Sequence, residues 1–398
     1  MPAAVLTRSG HFIPAILKHL IQQAEQRLEQ AAESAVAQPQ AVRRRVGRCQ
    51  GERHDSAHRN ALHPRLQSTA SCRPCPLAFV GTAPDLAIAV CRAGGLGSLA
   101  VGPLPADAVR SLIRAVRAAT DGPLNINFIT FLANQAQIQT CFDEQVSVVS
   151  FHWGHPPREF ISTLHDAGIK VWEQVGSVAA AKESVDSGID LIIAQGSEAG
   201  GHNYGSLPTF VLVPSILEAV APTPVLAAGG IANGRQLAAA LVLGADGVSI
   251  GTRFVASNEA FAHAEYKRRL VEAAGTETRL SSVYGPDMPH FNPMRVLDVG
   301  LAHEFAGQEE TAPTDLESQP IIGTMRLAGE TIPLHRFSSF VPTPDTDGRI
   351  DELPFLAGQG VGLIHRVMPV AEIMETIVEE AALALSAVRV PHEGESEV

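Results

Sequence analysis

The chain has 398 residues with 45% hydrophobic and 18% charged side chains, a balance that predicts a globular protein with a sizeable core. Its formal net charge of −12 argues against a nucleic-acid partner, and no apolar run reaches the roughly 20 residues that cross a bilayer. Five scattered cysteines, an odd number, predict reduced thiols in a cytoplasmic setting instead of a disulfide framework.

The first 70 residues differ from the rest. They hold ten Lys and Arg against five Asp and Glu, an excess of about +5 in an otherwise acidic chain. Residues 12–36 carry Ile13, Ile16, Leu17, Leu20, Ile21, Ala24 and Leu28 at helical spacing, which predicts one helix. The following AVRRRVGRCQGERHDSAHRN has no apolar period and predicts a loop or disorder. Residues 1–70 are therefore expected to be an atypical N-terminal extension. Cys72 and Cys75 make a C-x-x-C pair, but neither a second pair nor a nearby histidine completes a zinc site, so no metal is expected.

From residue 76 short apolar runs alternate with amphipathic stretches. Strands are predicted at 76–80, 96–101, 124–129, 146–151, 170–175, 191–196, 224–229 and 247–252. Helices are predicted near 83–93, 105–118, 133–143, 156–167, 177–187, 208–220, 233–243 and 258–273. Eight strand–helix units over about 200 residues predict an α/β fold, a closed (β/α)8 TIM barrel over 71–273. An open doubly wound sheet is disfavoured, because the glycine-rich AGGLGS (93–98) precedes a strand instead of opening a helix. Beyond 273 the alternation stops, and 274–398 is expected to form a C-terminal cap or side subdomain with a final helix at 369–387.

In a barrel of this kind the working residues lie at the C-terminal ends of strands and in the loops after them. Glycines cluster there, in QGSEAGGHNYG (195–205), AAGGIANGR (227–235) and GVSIGTRF (247–254). Glycine lets backbone N–H groups approach an anion, so Gly229, Gly230, Gly251 and Thr252 are the candidates for holding a mononucleotide phosphate.

The segments AQGSEAGGHNYG (194–205), PVLAAGGIANGRQLAAALVLGADGVSIGTRF (224–254) and AGGLGSLAVG (93–102) resemble the nitronate monooxygenase (2-nitropropane dioxygenase-like) family. NINF (125–128), SFHWGHPP (150–157) and AGQGVGLI (357–364) fit the same pattern. The resemblance implies non-covalently bound FMN and the oxidation of alkyl nitronates or nitroalkanes by O2 to a carbonyl compound and nitrite. It places Gly229, Gly230, Gly251 and Thr252 at the FMN phosphate, Asn127 at the flavin ring, and Gln195, Ala199, Gly200 and Gly201 along the cofactor. His152, closing the fourth strand, stands where the family has its general base. His202 in EAGGH is the second catalytic candidate, and His155 a lesser one. Asp246 is expected to cap a turn, Arg253 and Phe254 to lock the barrel rim, and Tyr284 and Met288 are candidates for reaching the site from the tail.

Relatives enter the first strand through a segment like Q-A-P-M-A, where this chain reads RPCPLAFVG (73–81) with Leu77 in place of the methionine. Two alternatives stay open: an NAD(P)H-dependent flavin oxidoreductase of the enoyl-acyl-carrier-protein reductase type, and a flavin-binding protein with little activity. Inosine-phosphate dehydrogenase chemistry is excluded, since it needs a nucleophilic cysteine in the sixth loop and GSEAGGH has none. The expected partners are a small-molecule nitronate or nitroalkane and O2, with homodimerisation left open.

Overall fold

The computed structural model describes residues 71–74, 83–327 and 329–387. The predicted helix at 12–36, the first predicted strand at 76–80 and Cys75 lie outside the described residues. Residues 71–381 form one compact unit.

The barrel is built from β1 (Ser71–Pro74), α1 (Pro84–Arg92), β2 (Gly97–Ala100), α2 (Ala106–Ala119), β3 (Leu124–Ile129), α3 (Gln135–Asp143), β4 (Val148–His152) and α4 (Arg158–Asp166). It continues through β5 (Lys170–Val175), α5 (Val178–Asp186), β6 (Leu191–Gln195), a short β7 (Gly201–His202), α6 (Thr209–Val220), β8 (Val225–Ala228), α7 (Gly234–Val242), β9 (Gly247–Ile250), α8 (Thr252–Val255) and α9 (Ala264–Glu272). Eight of these strands pair in the order β1-β9-β8-β6-β5-β4-β3-β2, all in parallel. The two end strands, β1 and β2, lie beside each other, which curls the sheet into a barrel. The strand in the first position is thus Ser71–Pro74, five residues before the start expected from the apolar run. The last barrel helix is also shorter than its apolar period suggests, and Thr252, expected to end a strand, opens a one-turn helix.

Helix starts follow from local chemistry. Asn134 accepts the Gln137 N–H while the Gln137 side chain accepts the Asn134 N–H, each at 3.1 Å, a reciprocal cap that opens α3. Ser177 and Asn233 cap α5 and α7 in the simpler one-way form. The apolar stripe of α2, Val109, Ile113 and Val116, is buried, as its spacing requires.

Inside the barrel the side chains alternate in the two-residue period of strands. Val148, Trp172, Leu191, Ile193, Leu226 and Ala228 form an inward apolar cluster. The residues two positions further along these strands reach the C-terminal end, where the barrel opens. Phe128 and Phe151 stack at 5.6 Å, and Phe151 in turn packs on Phe160 of α4.

The opposite end of the barrel is closed by a repeated device. The residue just before a strand takes an N–H from the first or second residue of the neighbouring strand: Ser147 Oγ accepts from Leu124, Asp190 Oδ2 from Val171 and Asp246 Oδ2 from Val225, at 3.2, 2.9 and 2.9 Å. Asp246 therefore has the structural capping role expected of it.

Past α9 come β10 (Thr278–Ser281), β11 (Met294–Leu297), α10 (Gly300–Glu304), β12 (Ile321–Leu327), β13 (Glu330–His335), β14 (Asp347–Gly348) and the long α11 (Val370–Ala387). The strand β11 pairs antiparallel with both β10 and β7, setting Met294 opposite His202 and Arg295 opposite Gly201. This region has its own core, in which Tyr284 packs with Val283, Met294 and Phe337. Tyr284 is 1% exposed there and is not part of the cleft lining described below, so it does not serve the site as the sequence suggested. Met288 is not in the lining either. Among the described residues no helix is long and apolar enough to cross a membrane, and no His, Cys, Asp and Glu cluster is arranged to hold a metal.

Candidate active site

A cleft opens at the C-terminal end of the barrel strands, with an empty volume of about 960 Å³ when its open mouth is included. The two leading histidines and all nine residues expected along the cofactor lie in its wall: Asn127, His152, Gln195, Ala199, Gly200, Gly201, His202, Gly229, Gly230, Gly251 and Thr252. The two-residue period explains much of this convergence. His152, Gln195 and Ala228 are the last inward-facing positions of β4, β6 and β8, and Asn127 is the last but one of β3. The same rule selects Gln174 of β5 and Ser249 of β9, which also line the cleft and which the motif reading passed over. They follow Trp172 and Gly247 by two residues, so periodicity alone was the available signal.

Beneath the cleft runs a buried polar ladder. Asn125 Nδ2 donates to Ser98 Oγ at 2.7 Å and to Ser150 Oγ at 2.8 Å, and Asn127 Nδ2 donates to Ser150 Oγ at 3.0 Å. These bonds hold the Asn127 amide at the floor of the site.

One wall is made of backbone. Gly229 and Gly230 have φ of +106° and +72°, a left-handed path that side chains with a Cβ resist. Across from them the segment 356–360 laces over the barrel end. Gln359 N–H donates to the Glu198 carbonyl at 2.9 Å, Gly358 N–H donates to Thr252 Oγ1 at 3.0 Å, and the Tyr266 hydroxyl donates to the Leu356 carbonyl at 2.6 Å. The crossing is so close that a Cβ on Gly200 would sit 2.5 Å from Gly358 N and 2.7 Å from the carbonyl carbon of Ala357. Arg295 Nε holds the same loop by donating to the Ser197 carbonyl at 3.0 Å. Arg253 donates to the carbonyls of Ala256 and Arg366 at 2.6 and 2.7 Å, tying the rim to the chain past the cleft.

The two leading histidines face each other's field. His152 Nδ1 lies 3.0 Å from the Phe128 carbonyl. A carbonyl only accepts, so Nδ1 carries the proton and Nε2 keeps its lone pair. Burial pushes the His152 ring down to about 4, and the Phe128 bond opposes that only in part. His202 is pushed down to about 3, first by burial and then by repulsion from His152. Its Nε2 is buried and has no hydrogen-bond partner among the described residues. Both rings are therefore neutral near pH 7.

His155, the lesser candidate, is on the other side of the strand layer. Its Nδ1 lies 2.8 Å from Oε2 of the buried Glu173, whose carboxyl is raised by burial. His155 is absent from the cleft wall, and its place is between β5 and the helices. The period explains the separation: Glu173 alternates with the inward-facing Trp172 and Gln174.

The low histidine values set a direction for stability. Each ring titrates lower in the fold than the 6.5 of an unfolded histidine, so the unfolded chain takes up protons first. Stability is complete above about pH 6.5 and is lost as pH falls toward about 4. Replacing His152 by glutamine is expected to weaken this acid-side loss, so the melting-temperature gap between variant and wild type shifts in favour of the variant between pH 7 and pH 4.5. A gap that stays constant over that range would show that His152 is not held neutral by the fold.

Comparison with known proteins agrees with the geometry. The family profile for nitronate monooxygenase matches residues 75–139 and 129–380. A nitronate monooxygenase of Paraburkholderia phytofirmans is 36% identical over 279 residues, covering 58% of this chain and 76% of its own. The solved structure of FabK from Thermotoga maritima superimposes with a TM-score of 0.66 at 32% identity, covering 81% of this chain and 96% of that one. The nitroalkane oxidase of Streptomyces ansochromogenes superimposes with a TM-score of 0.65 at 27% identity, covering 80% and 97%. With the profile spanning the barrel and most of the region after it, the chain belongs to the nitronate monooxygenase family of oxidoreductases.

Proposed function

We propose that this protein binds FMN in the glycine-walled cleft and oxidises nitroalkanes or their nitronates with O2, giving a carbonyl compound and nitrite. The observation that carries the reading is His152, whose Nδ1–H is bound to the Phe128 carbonyl, so that Nε2 is left as the proton acceptor of a cleft-lining ring. The residues fit the cofactor. Gly200, Gly201, Gly229, Gly230 and Gly251 put no Cβ along the wall, and a flat ring system with a phosphate tail needs such a wall. The partnerless Nε2 of His202 supports a polar neighbour in the same space.

In this reading Gly229, Gly230, Gly251 and Thr252 hold the phosphate, Asn127 and Gln195 meet the ring system, and Ala199, Gly200 and Gly201 line its flank. FMN supplies the two-electron redox chemistry and the reaction with O2. His152 Nε2 takes the α-proton of a neutral nitroalkane, and the Phe128 carbonyl holds the ring in the tautomer that can do so. His202 orients the nitro group through its ring N–H. The segment 274–398 acts as a cap that keeps water from the reacting atoms.

The test is the visible spectrum of the purified protein, followed without oxygen after adding an alkyl nitronate. Flavin bands that bleach, and return with oxygen while nitrite accumulates, are expected. A protein that shows no flavin bands after incubation with FMN would overturn the reading. A second reading, a flavin oxidoreductase taking hydride from NAD(P)H, is favoured by the likeness to FabK. Rapid anaerobic bleaching by NADPH would move the assignment to it.

A further inference from the structure

His152 is the last residue of β4, so the strand ladder holds it from one side only. The chain then turns through two successive left-handed residues, Trp153 with φ of +64° and Gly154 with φ of +110°. Glycine takes that path freely, but a bulky residue resists it, and the conformation persists only where its surroundings impose it. The proposed base therefore stands on a turn that relaxes unless something outside it holds the backbone.

Thr130 supplies that hold. It opens the 3₁₀ turn Thr130–Leu132 directly after β3, and Ile129 before it is in register with His152. A threonine hydroxyl in a turn usually bonds to the backbone of its own neighbourhood. The Thr130 hydroxyl reaches across to the next strand instead. Its Oγ1 donates to the carbonyls of His152 and Gly154, each at 2.9 Å, which lie 22 and 24 residues further along the chain. One proton shared between two carbonyls thus spans the left-handed pair and grips the backbone on both sides of it. Other ties of this loop run through its own side chains. The Trp153 indole N–H donates to the His290 carbonyl at 2.7 Å, in the 289–291 turn, and His155 pairs with Glu173 of β5. The end of β3 therefore holds His152 twice, its ring through the Phe128 carbonyl and its backbone through Thr130 two residues on.

We infer that Thr130 is a positioning residue for His152: its hydroxyl fixes the turn that keeps the His152 ring on the Phe128 carbonyl, and with it the tautomer whose Nε2 accepts a proton. The inference rests on the proposed role of His152 as base. A hydrogen bond to a carbonyl is directional, and a ring that swings away from it loses its preference for Nδ1–H. Displacing a reacting group by about 1 Å costs on the order of 10²-fold in rate, even when the change that displaces it lies elsewhere. Thr130 is not among the residues lining the cleft, so its effect reaches the substrate through His152.

The test uses Thr130→Val, which keeps the shape of the side chain and removes its donor, and Thr130→Ser, which keeps the donor. With 1-nitrobutane as the neutral nitroalkane, Thr130→Val is expected to lower kcat/KM by at least about 10-fold, while the preformed nitronate loses less than about 2-fold. Thr130→Ser is expected to recover most of that loss. Equal losses on both substrates, no loss on either, or a serine variant as poor as the valine one would overturn the inference. Should the wild type turn over no nitroalkane, long-range proton–nitrogen NMR spectra of the histidine-labelled protein decide separately, with the His152 signals assigned by their absence from His152→Gln. A single Nδ1–H tautomer in the wild type that becomes a mixture in Thr130→Val would uphold the positioning role while the proposed reaction fails. The same tautomer in both proteins, or a mixture already in the wild type, would overturn the positioning role too.

Discussion

Replacing His152 by glutamine is expected to lower kcat/KM for a neutral nitroalkane by about 10²–10⁴-fold, the usual contribution of a positioned general base. The variant keeps a polar group of similar length near the Phe128 carbonyl but has no nitrogen that accepts a proton. The same variant supplied with a preformed nitronate, from which the proton is already gone, is expected to lose much less. A base acts before ionisation, and a merely structural histidine would harm both substrates alike. The wild-type acid limb is expected to fall through about pH 4, where burial sets the ring, and to vanish in the variant. Equal losses on nitroalkane and nitronate would remove His152 from the role of base.

The second large effect is expected at Gly200. An alanine there places its Cβ 2.5 Å from Gly358 N and 2.7 Å from the Ala357 carbonyl carbon, both backbone atoms that cannot swing aside. The reciprocal clash exists at Gly358, where a Cβ would come within 2.7 Å of the Glu198 carbonyl oxygen. Gly200→Ala is expected to cost about 1–3 kcal/mol in urea unfolding, the range for crowding a packed site. It is also expected to lower the ratio of flavin to protein absorbance, because the segment 356–360 would lift from the cleft. Gly168→Asn is the control: its φ of +73° suits asparagine, and nothing lies within 4 Å of the added carbon. A stable Gly200→Ala protein with full flavin content would show that the crossing is looser than the geometry implies.

The strands and helices of the barrel were legible because buried parallel strands read as short apolar runs and the helices between them carry an apolar stripe, three of them opening on a polar cap at Asn134, Ser177 or Asn233. LNINFI and KVWEQV became β3 and β5 with the bounds their residues suggested. The cleft residues were legible for a related reason, since glycine-rich strand ends collect at one end of such a barrel. What escaped was set by contacts distant in the chain. Phe291 stacks on His202, and Trp153 meets Phe291, only because the 289–291 turn folds back to the β4 loop, 137 residues away in the Trp153–His290 bond. Tyr284 looked equally eligible in sequence, yet it fills the core of the outer region. The strand described beside β9 is Ser71–Pro74, in register with Gly247–Ile250, and the predicted run PLAFV lies outside the described residues.

The pairing of β7 with β11 also fixes when the site can exist. The eight barrel strands are all contained in residues 71–250, while the strand bearing His202 waits for Met294 and Arg295, and the lacing segment for Gly358 and Gln359. At synthesis rates of about 5–20 residues per second, roughly 8–30 s separate the synthesis of His202 from that of Gln359. A chain made only to residue 250 therefore lacks both pieces, and the mouth of the barrel is completed only once Gln359 has been made.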